Sequence, residues 1–313
     1  MLNNFLVCLE AVLPMFILLV IGAAVRRTGL LKEEEVRRLN KVVFIVCYPC
    51  MMFTNLYGAD LEQAFDWKLI GFAAGFTFAV IGVATLLALW IEPNQRSRGA
   101  MIQAIYRSNF VIMGLPIAMN IYGHGNVAVT AMLIAVIVPI YNVMAVIILE
   151  VFRNQKPNPV EICRDVLKNP IILGGIAGLF CVLTGLTIPK FLEGVVDDLG
   201  VTAMTMSLIV LGASFDMSTL RHTGRNLVIC VVSRLVIVPG IGLALAAAMG
   251  FRDVVFVTLL AMMAAPTAIA SFTMAQSMDS DADLAGNCVI FSSVFACLTM
   301  FLWLFLYKTL GVF

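Results

Sequence analysis

A proline interrupts a long apolar segment of the chain in the stretch Ser108-Asn109-Phe110-Val111-Ile112-Met113-Gly114-Leu115-Pro116. A second proline, Pro266, lies within an apolar segment of the second half. A proline inside a membrane helix removes a backbone donor and clashes with the preceding turn, at a cost of about 3 kcal/mol unless the freed groups find partners. Such breaks are tolerated chiefly where they line a polar cavity, which is typical of transporters.

The composition places the chain in a lipid bilayer. Of its 313 residues, 61% are hydrophobic and 12% are charged, and the mean hydropathy is +1.01. A soluble core of this size does not require so much apolar surface. Ten apolar runs approach the roughly 20 residues that cross a hydrocarbon core. They lie near residues 5–25, 42–57, 69–91, 99–122, 127–149, 170–188, 195–215, 227–249, 255–277 and 285–307.

The basic residues predict the orientation of these spans. They follow the first span, at Arg26, Arg27 and Lys32, and do not precede it. We therefore expect an uncleaved helix with its N-terminus outside. Alternate connections then face the cytosol, and most of the 20 Lys and Arg residues fall within them. This pattern predicts a multi-pass protein of the cell membrane.

Five spans in each half predict that the two halves run in opposite directions through the membrane. We expect a first five-helix repeat over residues 1–155 and a second, inverted repeat over residues 156–313. Span four then corresponds to span nine, so Pro116 and Pro266 lie in matching helices. In inverted-repeat transporters such discontinuous helices meet near the midplane, with half-helix N-termini beside the substrate.

The expected crossing predicts an anionic ligand. Each half-helix N-terminus carries roughly half an elementary positive charge and unpaired N–H groups. Gly114 would permit a close backbone approach, and Thr267 and Ser271 would add hydroxyls. The alternative is that Pro116 and Pro266 only kink packed helices, which is common in membrane proteins. The recurrence of the break in matching spans favours the functional interpretation.

Arg107 is the most expensive residue within a span, since a central arginine costs about 2.5 to 3.5 kcal/mol on insertion scales. It is either the counterion of a substrate carboxylate or a side chain that snorkels to the inner surface. On a helix, Arg107 and Asn109 point in nearly opposite directions, so Arg107 is expected to snorkel if Asn109 faces the crossing. Arg234 in span eight is expected to snorkel as well.

Three further amides lie in spans, at Asn55, Asn142 and Asn287. An amide there can coordinate a ligand or join two helices. Interhelical hydrogen bonds of this kind average near 0.6 kcal/mol and are frequent, so packing is the expectation for each of these residues alone. Asn55, which lies close to Pro49, is retained as a candidate substrate ligand, whereas Asn109 is the strongest candidate.

The sequence does not indicate an enzyme or a metalloprotein. It contains no nucleophile turn of the Gly-x-Ser-x-Gly type and no phosphate loop with lysine. Buried cysteines behave as small hydrophobic residues, and the two histidines, His124 and His222, cannot build a zinc site. We expect no metal, no cofactor and no nucleic-acid partner, and lipid around the spans.

The segment from Ser108 to Pro116 resembles the Asn, Gly and Pro pattern in the broken fourth helix of the auxin efflux carrier family of membrane transporters. Two other pieces are similar to patterns of that family, namely Leu39-Asn40-Lys41 leading to Pro49 and the run from Asp281 to Asn287. The resemblance covers the whole chain, and it is that of a bacterial member. Bacterial members include presumed malate and malonate permeases.

The resemblance implies an all-α membrane protein with the crossover fold of bile-acid symporters. Spans 1, 2, 6 and 7 would form a scaffold, and the other six spans would form a transport domain that moves like an elevator. A homodimer would form through the scaffold, and Asn109 would contact a small organic carboxylate at the crossing. The coupling ion is left open between Na+, H+ and none. The alternative is a sodium-coupled symporter of bile-acid-like or other organic anions.

Overall fold

The computed structural model describes residues 2–57, 66–122, 128–153, 159–216 and 220–313. The regular secondary structure of these ranges is helical, apart from one isolated β-bridge between Ser108 and Thr267. The expectation of an all-helical membrane protein is therefore confirmed.

The helices follow the apolar runs, with several additional breaks. Those of the first half are α1 (Leu2–Arg27), α2 (Glu33–Val42), α3 (Tyr48–Tyr57), α4 (Trp67–Ile91), α5 (Gln95–Tyr106), α6 (Phe110–Tyr122) and α7 (Ala128–Arg153). Those of the second half are α8 (Pro159–Lys168), α9 (Pro170–Thr184), α10 (Lys190–Ser214), α11 (Leu220–Val232), α12 (Val238–Ala248), α13 (Asp253–Ala264), α14 (Ala270–Ser277) and α15 (Ala282–Thr309). A π-helical turn joins α2 to α3 at Val43–Cys47, and another joins α11 to α12 at Ser233–Ile237.

Six helical segments within the described residues are long and apolar enough to cross a bilayer. They are Glu33–Tyr57, Trp67–Ile91, Ala128–Arg153, Lys190–Ser214, Thr223–Ala248 and Ala282–Thr309. The pair α8 and α9, bent by 63° before Pro170, is a seventh candidate. The protein is thus a multi-pass membrane protein, and the expected number of ten spans is met only in part.

Local sequence signals explain where individual helices begin and end. Asp66 caps α4, because its carboxylate accepts hydrogen bonds from the backbone N–H groups of Lys68 at 2.9 Å and Leu69 at 3.2 Å. Asn169 caps α9 immediately before Pro170, a residue suited to the first helical position. The same helix ends at Gly185, which adopts a left-handed conformation with φ of 67°.

Four helices pack closely through glycines, and we call α1, α3, α9 and α10 the glycine-packed group. A Cβ atom placed on Gly212 of α10 would lie 2.0 Å from the backbone oxygen of Leu19 in α1. A Cβ on Gly174 of α9 would lie 2.3 Å from the backbone oxygen of Pro49 in α3. Small residues at such contacts allow the backbones of membrane helices to approach closely, which maximises van der Waals packing.

The remaining long helices form a second unit, which we call the crossing group. It comprises α4 to α7 and α11 to α15, and its largest cluster contains no buried residue of α1, α3, α9 or α10, although Phe16 of α1 packs against it. Two smaller clusters join the groups. One lies between α3, α7, α9 and α14, and the other between α1, α10, α14 and α15.

Spans four and nine are both discontinuous, and their breaks contact each other. α5 ends at Tyr106 and α6 begins at Phe110, while α13 ends at Ala264 and α14 begins at Ala270. The backbone N–H of Asn109 donates to the oxygen of Pro266 at 2.8 Å, and that of Ala268 donates to the oxygen of Arg107 at 3.1 Å. The two extended segments therefore satisfy each other's backbone groups.

The position expected for the break in span four is wrong. Pro116 lies inside α6, whereas the helix is interrupted earlier, at residues 107–109. A proline within a helix frees one carbonyl, but an unpaired segment of extended backbone needs a partner that accepts and donates several bonds. That partner lies opposite residues 107–109, at the break that contains Pro266.

We predict that Gly212→Ala lowers the stability of the protein. The added methyl group would collide with the backbone of α1, and overpacking of this kind costs about 1–3 kcal/mol. Gly82→Ala in α4 is the matched control, since a Cβ there meets nothing within 4 Å and replacing a helical glycine by alanine is favourable by up to about 1 kcal/mol. Apparent melting temperatures in detergent measure both effects, and equal values for the two variants would contradict the proposed packing.

Candidate functional site at the helix crossing

The crossing brings together the ends of four half-helices. The last carbonyls of α5 and α13 and the first N–H groups of α6 and α14 lack partners within their own helices. Helix N-termini carry partial positive charge and C-termini carry partial negative charge. The crossing therefore contains partial charges of both signs within the protein interior. The N–H groups that carry the positive charge and the carbonyls that carry the negative charge each require partners.

The break in span nine follows from its proline. Residues that precede a proline are disfavoured in the helical conformation, and Ala265 accordingly adopts an extended conformation with ψ of 150°. The segment that follows is held by side chains. Thr267 donates its hydroxyl to the backbone oxygen of Ala104 at 3.0 Å, and its backbone N–H donates to the hydroxyl of Ser292 at 3.0 Å.

Arg234 donates hydrogen bonds to the backbone oxygens at the C-terminal ends of α5 and α13. It lies in the π-helical turn between α11 and α12 and is 1% exposed. Its guanidinium donates to the backbone oxygens of five residues, at distances from 2.7 to 3.3 Å. These residues are Ala265, Ile105, Tyr106, Met262 and Met263.

The expectation that Arg234 snorkels to the cytosolic surface is wrong. An arginine carries five N–H donors in a planar fork, and five backbone oxygens in the interior accept from this one. The unpaired carbonyls of two helix ends replace the water that a snorkelling side chain would reach. Such a cluster of carbonyls cannot be inferred from the position of Arg234 along its helix.

A cavity of about 420 Å³ lies beside the crossing, between the glycine-packed group and the crossing group. Its walls come from α3, α7 and α10 and from both breaks, at residues 107–109 and 268–270. The first residues of α6 and α14 therefore face it. It extends towards the end of α3, at Asn55, and the beginning of α10, at Asp197. Apolar residues such as Val138, Met204 and Ile269 form much of its wall.

Arg107 lines this cavity and is 2% exposed. Its guanidinium donates to the side-chain oxygen of Gln103 at 3.1 Å, to the sulfur of Met274 at 2.9 Å and to the side-chain oxygen of Asn142. Within the described part of the chain, no Asp or Glu forms an ion pair with it. A positive charge thus lines the cavity with neutral partners only.

The expectation that Arg107 snorkels is wrong, and the reason is local. The side chains of residues 107 and 109 diverge only if both residues belong to one helix. The helix ends at Tyr106, and Arg107 has an extended conformation with ψ of 111°. In an extended segment the helical projection no longer applies, and both Arg107 and Asn109 line the cavity.

Asn109 occupies the N-cap position of α6, because its backbone oxygen accepts from the N–H of Met113 at 3.4 Å. Its side chain is 3% exposed and faces the cavity. The side-chain nitrogen lies 4.0 Å from the sulfur of Met15 in α1, which is a weak contact. The amide of Asn109 therefore retains hydrogen-bonding capacity towards the cavity.

Of the candidate residues predicted from the sequence, the cavity brings together Asn55, Arg107 and Asn109. The others lie elsewhere. Pro266 and Thr267 belong to the backbone crossing behind the cavity. Gly114 is packed against the ring of Phe110, since an added Cβ would lie 2.7 Å from that ring, and Pro116 lies further along α6. Ser271 is fully buried in α14 and does not line the cavity.

Sequence reasoning missed several residues of the cavity wall. Tyr48, Tyr141 and Asp197 were not singled out, and Asn142 was expected only to pack. Tyr48 shares a hydrogen bond of 3.1 Å with Ser207 of α10. The only sequence signal for these wall residues is a polar side chain within an apolar span. Asn287 has the same signal but donates to the hydroxyl of Thr223 and does not line the cavity.

The described residues contain no group of three or more His, Cys, Asp or Glu side chains that could hold a metal ion. The polar groups of the cavity are one guanidinium, the carboxylate of Asp197, amides, hydroxyls and helix N-termini. Such groups can bind and orient a ligand but supply no nucleophile with an adjacent base.

A multi-pass helical protein in which two broken helices meet beside an internal cavity belongs to the class of membrane transporters. A model of the membrane transport protein family matches residues 7–304. The chain therefore belongs to this family, the auxin efflux carriers, and it is a transporter and not an enzyme.

Three curated relatives are similar to the chain. An uncharacterized transporter of Methanothermobacter thermautotrophicus is 25% identical over 94% of this chain and 96% of its own length. An uncharacterized transporter of Methanocaldococcus jannaschii is 21% identical over 94% of this chain and 97% of its own length. The Arabidopsis thaliana protein PIN-LIKES 7 is 30% identical over 31% of this chain and 26% of its own length. The resemblance stated above named a bacterial member, whereas the two relatives matched along most of the chain are archaeal.

We predict that Ser292→Ala destabilises the crossing more than Ser293→Ala does. Both hydroxyls are buried and donate to the backbone oxygen of Val289, but only Ser292 also accepts from the N–H of Thr267. A buried donor left unpaired costs about 1–3 kcal/mol. The difference in apparent melting temperature between the two variants measures this cost, and a larger loss for Ser293→Ala would show that the bond to Thr267 does not hold the crossing.

Proposed function

We propose that the protein is a secondary carrier that binds a small organic carboxylate in the cavity at the helix crossing. The observation that supports this proposal is the guanidinium of Arg107, which lines the cavity and has only neutral partners among the described residues. A carboxylate at this point would provide the missing negative charge.

Apart from the carboxylate of Asp197, the charged and partly charged groups that line the cavity favour an anion over a neutral ligand. Burying an arginine in a membrane protein without a counter-charge is costly. The first N–H groups of α6 and α14 add the partial positive charge of two helix ends, a common basis for anion binding. Arginine and carboxylate also match in geometry, because the guanidinium can donate two parallel hydrogen bonds.

The shape of the cavity supports a small substrate with an apolar part. Its volume of about 420 Å³ lies at the lower end of the range for small-molecule sites, roughly 300–1,000 Å³. Arg107 and Asn109 would hold the carboxylate, while Met51, Val138 and Met204 would contact the body of the ligand. Substrates similar to malate, malonate or auxin, as implied by the family resemblance, have this size and charge.

We propose the complete architecture as ten spans in two inverted repeats, residues 1–155 and 156–313. Besides the seven candidates by length, α1 and the two broken pairs, α5 with α6 and α13 with α14, would complete this number. The glycine-packed group would be the scaffold and the contact between two subunits. The crossing group would be the transport domain, with the N-terminus of the chain outside.

An elevator motion would follow from the separation of these two groups. The cavity lies at their contact, so a shift of the crossing group along the glycine-packed group would carry the bound anion with it. With the N-terminus outside, the ends of the cavity wall at Asn55 and Asp197 face the outside. The breaks would move as one unit, because backbone bonds and Arg234 join them.

We predict that purified protein is stabilised by small carboxylates and that Arg107→Gln reduces this stabilisation. A ligand at 100 times its dissociation constant adds about 2.7 kcal/mol, which is visible as a shift in melting temperature. The panel would contain malate, malonate, succinate and indole-3-acetate, with sodium and with choline as the cation. Sodium dependence would favour the sodium-coupled symporter.

Arg107→Lys is the matched control for this experiment, because it retains the charge and loses the planar fork. We expect partial retention of anion binding in the lysine variant and a loss of at least about 10-fold in Arg107→Gln, the equivalent of roughly 1.5 kcal/mol. Wild-type affinity in Arg107→Gln would remove the guanidinium from the site, and silence of the wild type across the panel would count against a carboxylate substrate.

We predict that Asn109→Ala weakens carboxylate binding by about 10- to 150-fold, since a hydrogen bond to a charged group contributes roughly 1.5–3 kcal/mol. Asn169→Ala is the control, because Asn169 is also a buried N-cap residue but caps α9 away from the cavity. Titration of the purified variants with the best anion of the panel measures both affinities. Equal loss in the two variants would indicate a general effect of helix caps and not a contact with the ligand.

A further inference from the structure

A second buried arginine has a role that the proposed substrate site does not use. Arg234 does not line the cavity at the crossing. Its five N–H donors are all directed to backbone oxygens at the C-terminal ends of α5 and α13. Within the described residues it has no acidic partner. Its charge is therefore balanced by the negative ends of two helices.

The place that Arg234 occupies is one in which transporters bind inorganic cations. In carriers with discontinuous helices, unwound backbone carbonyls and half-helix C-terminal ends coordinate a sodium ion or a proton carrier, while half-helix N-termini face the anionic substrate. Here the N-terminal ends face the cavity, and the carbonyl oxygens of the C-terminal ends accept from the guanidinium.

The void described beside Arg234 is too small for a hydrated ion. The void that touches its side chain measures about 10 Å³ and is lined by residues such as Phe76, Thr77 and Val238. A single water molecule needs at least about 10–15 Å³ of such space. This void is at the lower limit for one water molecule, and the carbonyl oxygens that could coordinate a sodium ion already accept from the guanidinium.

We propose that Arg234 is a built-in cation that takes the place of a coupling ion at the helix crossing, so that the protein binds its anionic substrate without sodium. That the substrate is an anion rests on the function proposed above. The two buried arginines then have different roles. Arg234 fixes the C-terminal ends permanently, and Arg107 provides the charge that the ligand meets.

The first arm of the test measures the effect of Arg234 on thermal stability in the absence of any substrate. Full-length wild type and Arg234→Ala are melted in sodium chloride and in choline chloride at equal ionic strength, and again with added guanidinium chloride at low millimolar concentration. We expect identical wild-type melting temperatures in sodium and choline. The alanine variant should melt lower in choline and should recover with sodium or with guanidinium, because the emptied carbonyl cluster accepts a free cation.

Two results of this arm would overturn the proposal. One is a wild type that sodium stabilises specifically over choline, since its cation site would then be vacant. The other is an alanine variant that is as stable as the wild type in choline or that no cation rescues. Arg225→Ala, an exposed arginine of α11, controls for general effects of charge removal.

A second variant keeps the test decisive if Arg234→Ala does not fold. Arg234→Lys retains the charge with a single ammonium group, so it should be less stable than the wild type but equally indifferent to sodium. A lysine variant that gains a sodium requirement would contradict the proposal, because a fixed charge would then not be sufficient.

The second arm measures the affinity of the wild type for its best carboxylate in sodium and in choline. We expect the same dissociation constant in both. Coupling between two ligands typically changes affinity about 5- to 150-fold, and tightening of that size by sodium would overturn the proposal. If no carboxylate binds in either salt, the proposed function fails, whereas the first arm still decides whether Arg234 replaces a cation.

Discussion

The contact between two interrupted helices is the constraint on which the rest of the structure depends. A bilayer offers no water to unpaired backbone groups, so a broken membrane helix persists only if protein groups replace its lost hydrogen bonds. Here two breaks are placed opposite each other and exchange backbone bonds through Arg107, Asn109, Pro266 and Ala268. Arg234 satisfies the carbonyls that this exchange leaves over.

The same constraint produces the cavity. Because the C-terminal ends of the half-helices are already held by a guanidinium, the N-terminal ends are the parts of the crossing that remain directed towards open space. The side chains at those ends, Arg107 and Asn109, are donors. Packing of α3 and α10 against the crossing closes the space into a volume suited to a small molecule. Structure and ligand chemistry thus follow from one arrangement of helix ends.

The sequence predicts the class of protein, the broken spans and part of the site. The apolar composition is sufficient to predict a membrane protein. Pro266 is sufficient to predict one of the two breaks, because the residue before a proline favours an extended conformation. Pro116 gave the wrong position for the other break, because the interruption at Arg107 depends on a partner segment that is distant in sequence. Snorkelling, one of the two alternatives for Arg107 and the expectation for Arg234, is wrong for a related reason in both. Both were projected on a helix, but one lies beyond its end and the other finds carbonyls on two other spans.

The division of the buried charge gives the molecule its functional character. The two arginines are equally buried, but one has its donors saturated by backbone oxygens and the other lines the cavity with neutral partners. Under the proposed function, an anion that enters the cavity meets one guanidinium and two helix N-termini, and the carboxylate of Asp197 also lies in the wall. The proposed function gives substrate recognition to Arg107 and Asn109, whereas Arg234 and Ser292 form hydrogen bonds to the backbone of the crossing.

The most direct test of an anion site at the crossing is the anomalous diffraction of crystals grown with a bromine-substituted carboxylate. The proposed site predicts a bromine peak inside the cavity between α3, α7 and α10, with the carboxylate within hydrogen-bonding distance of Arg107. A bound ligand elsewhere in the protein, with an unchanged cavity at the crossing, would contradict it.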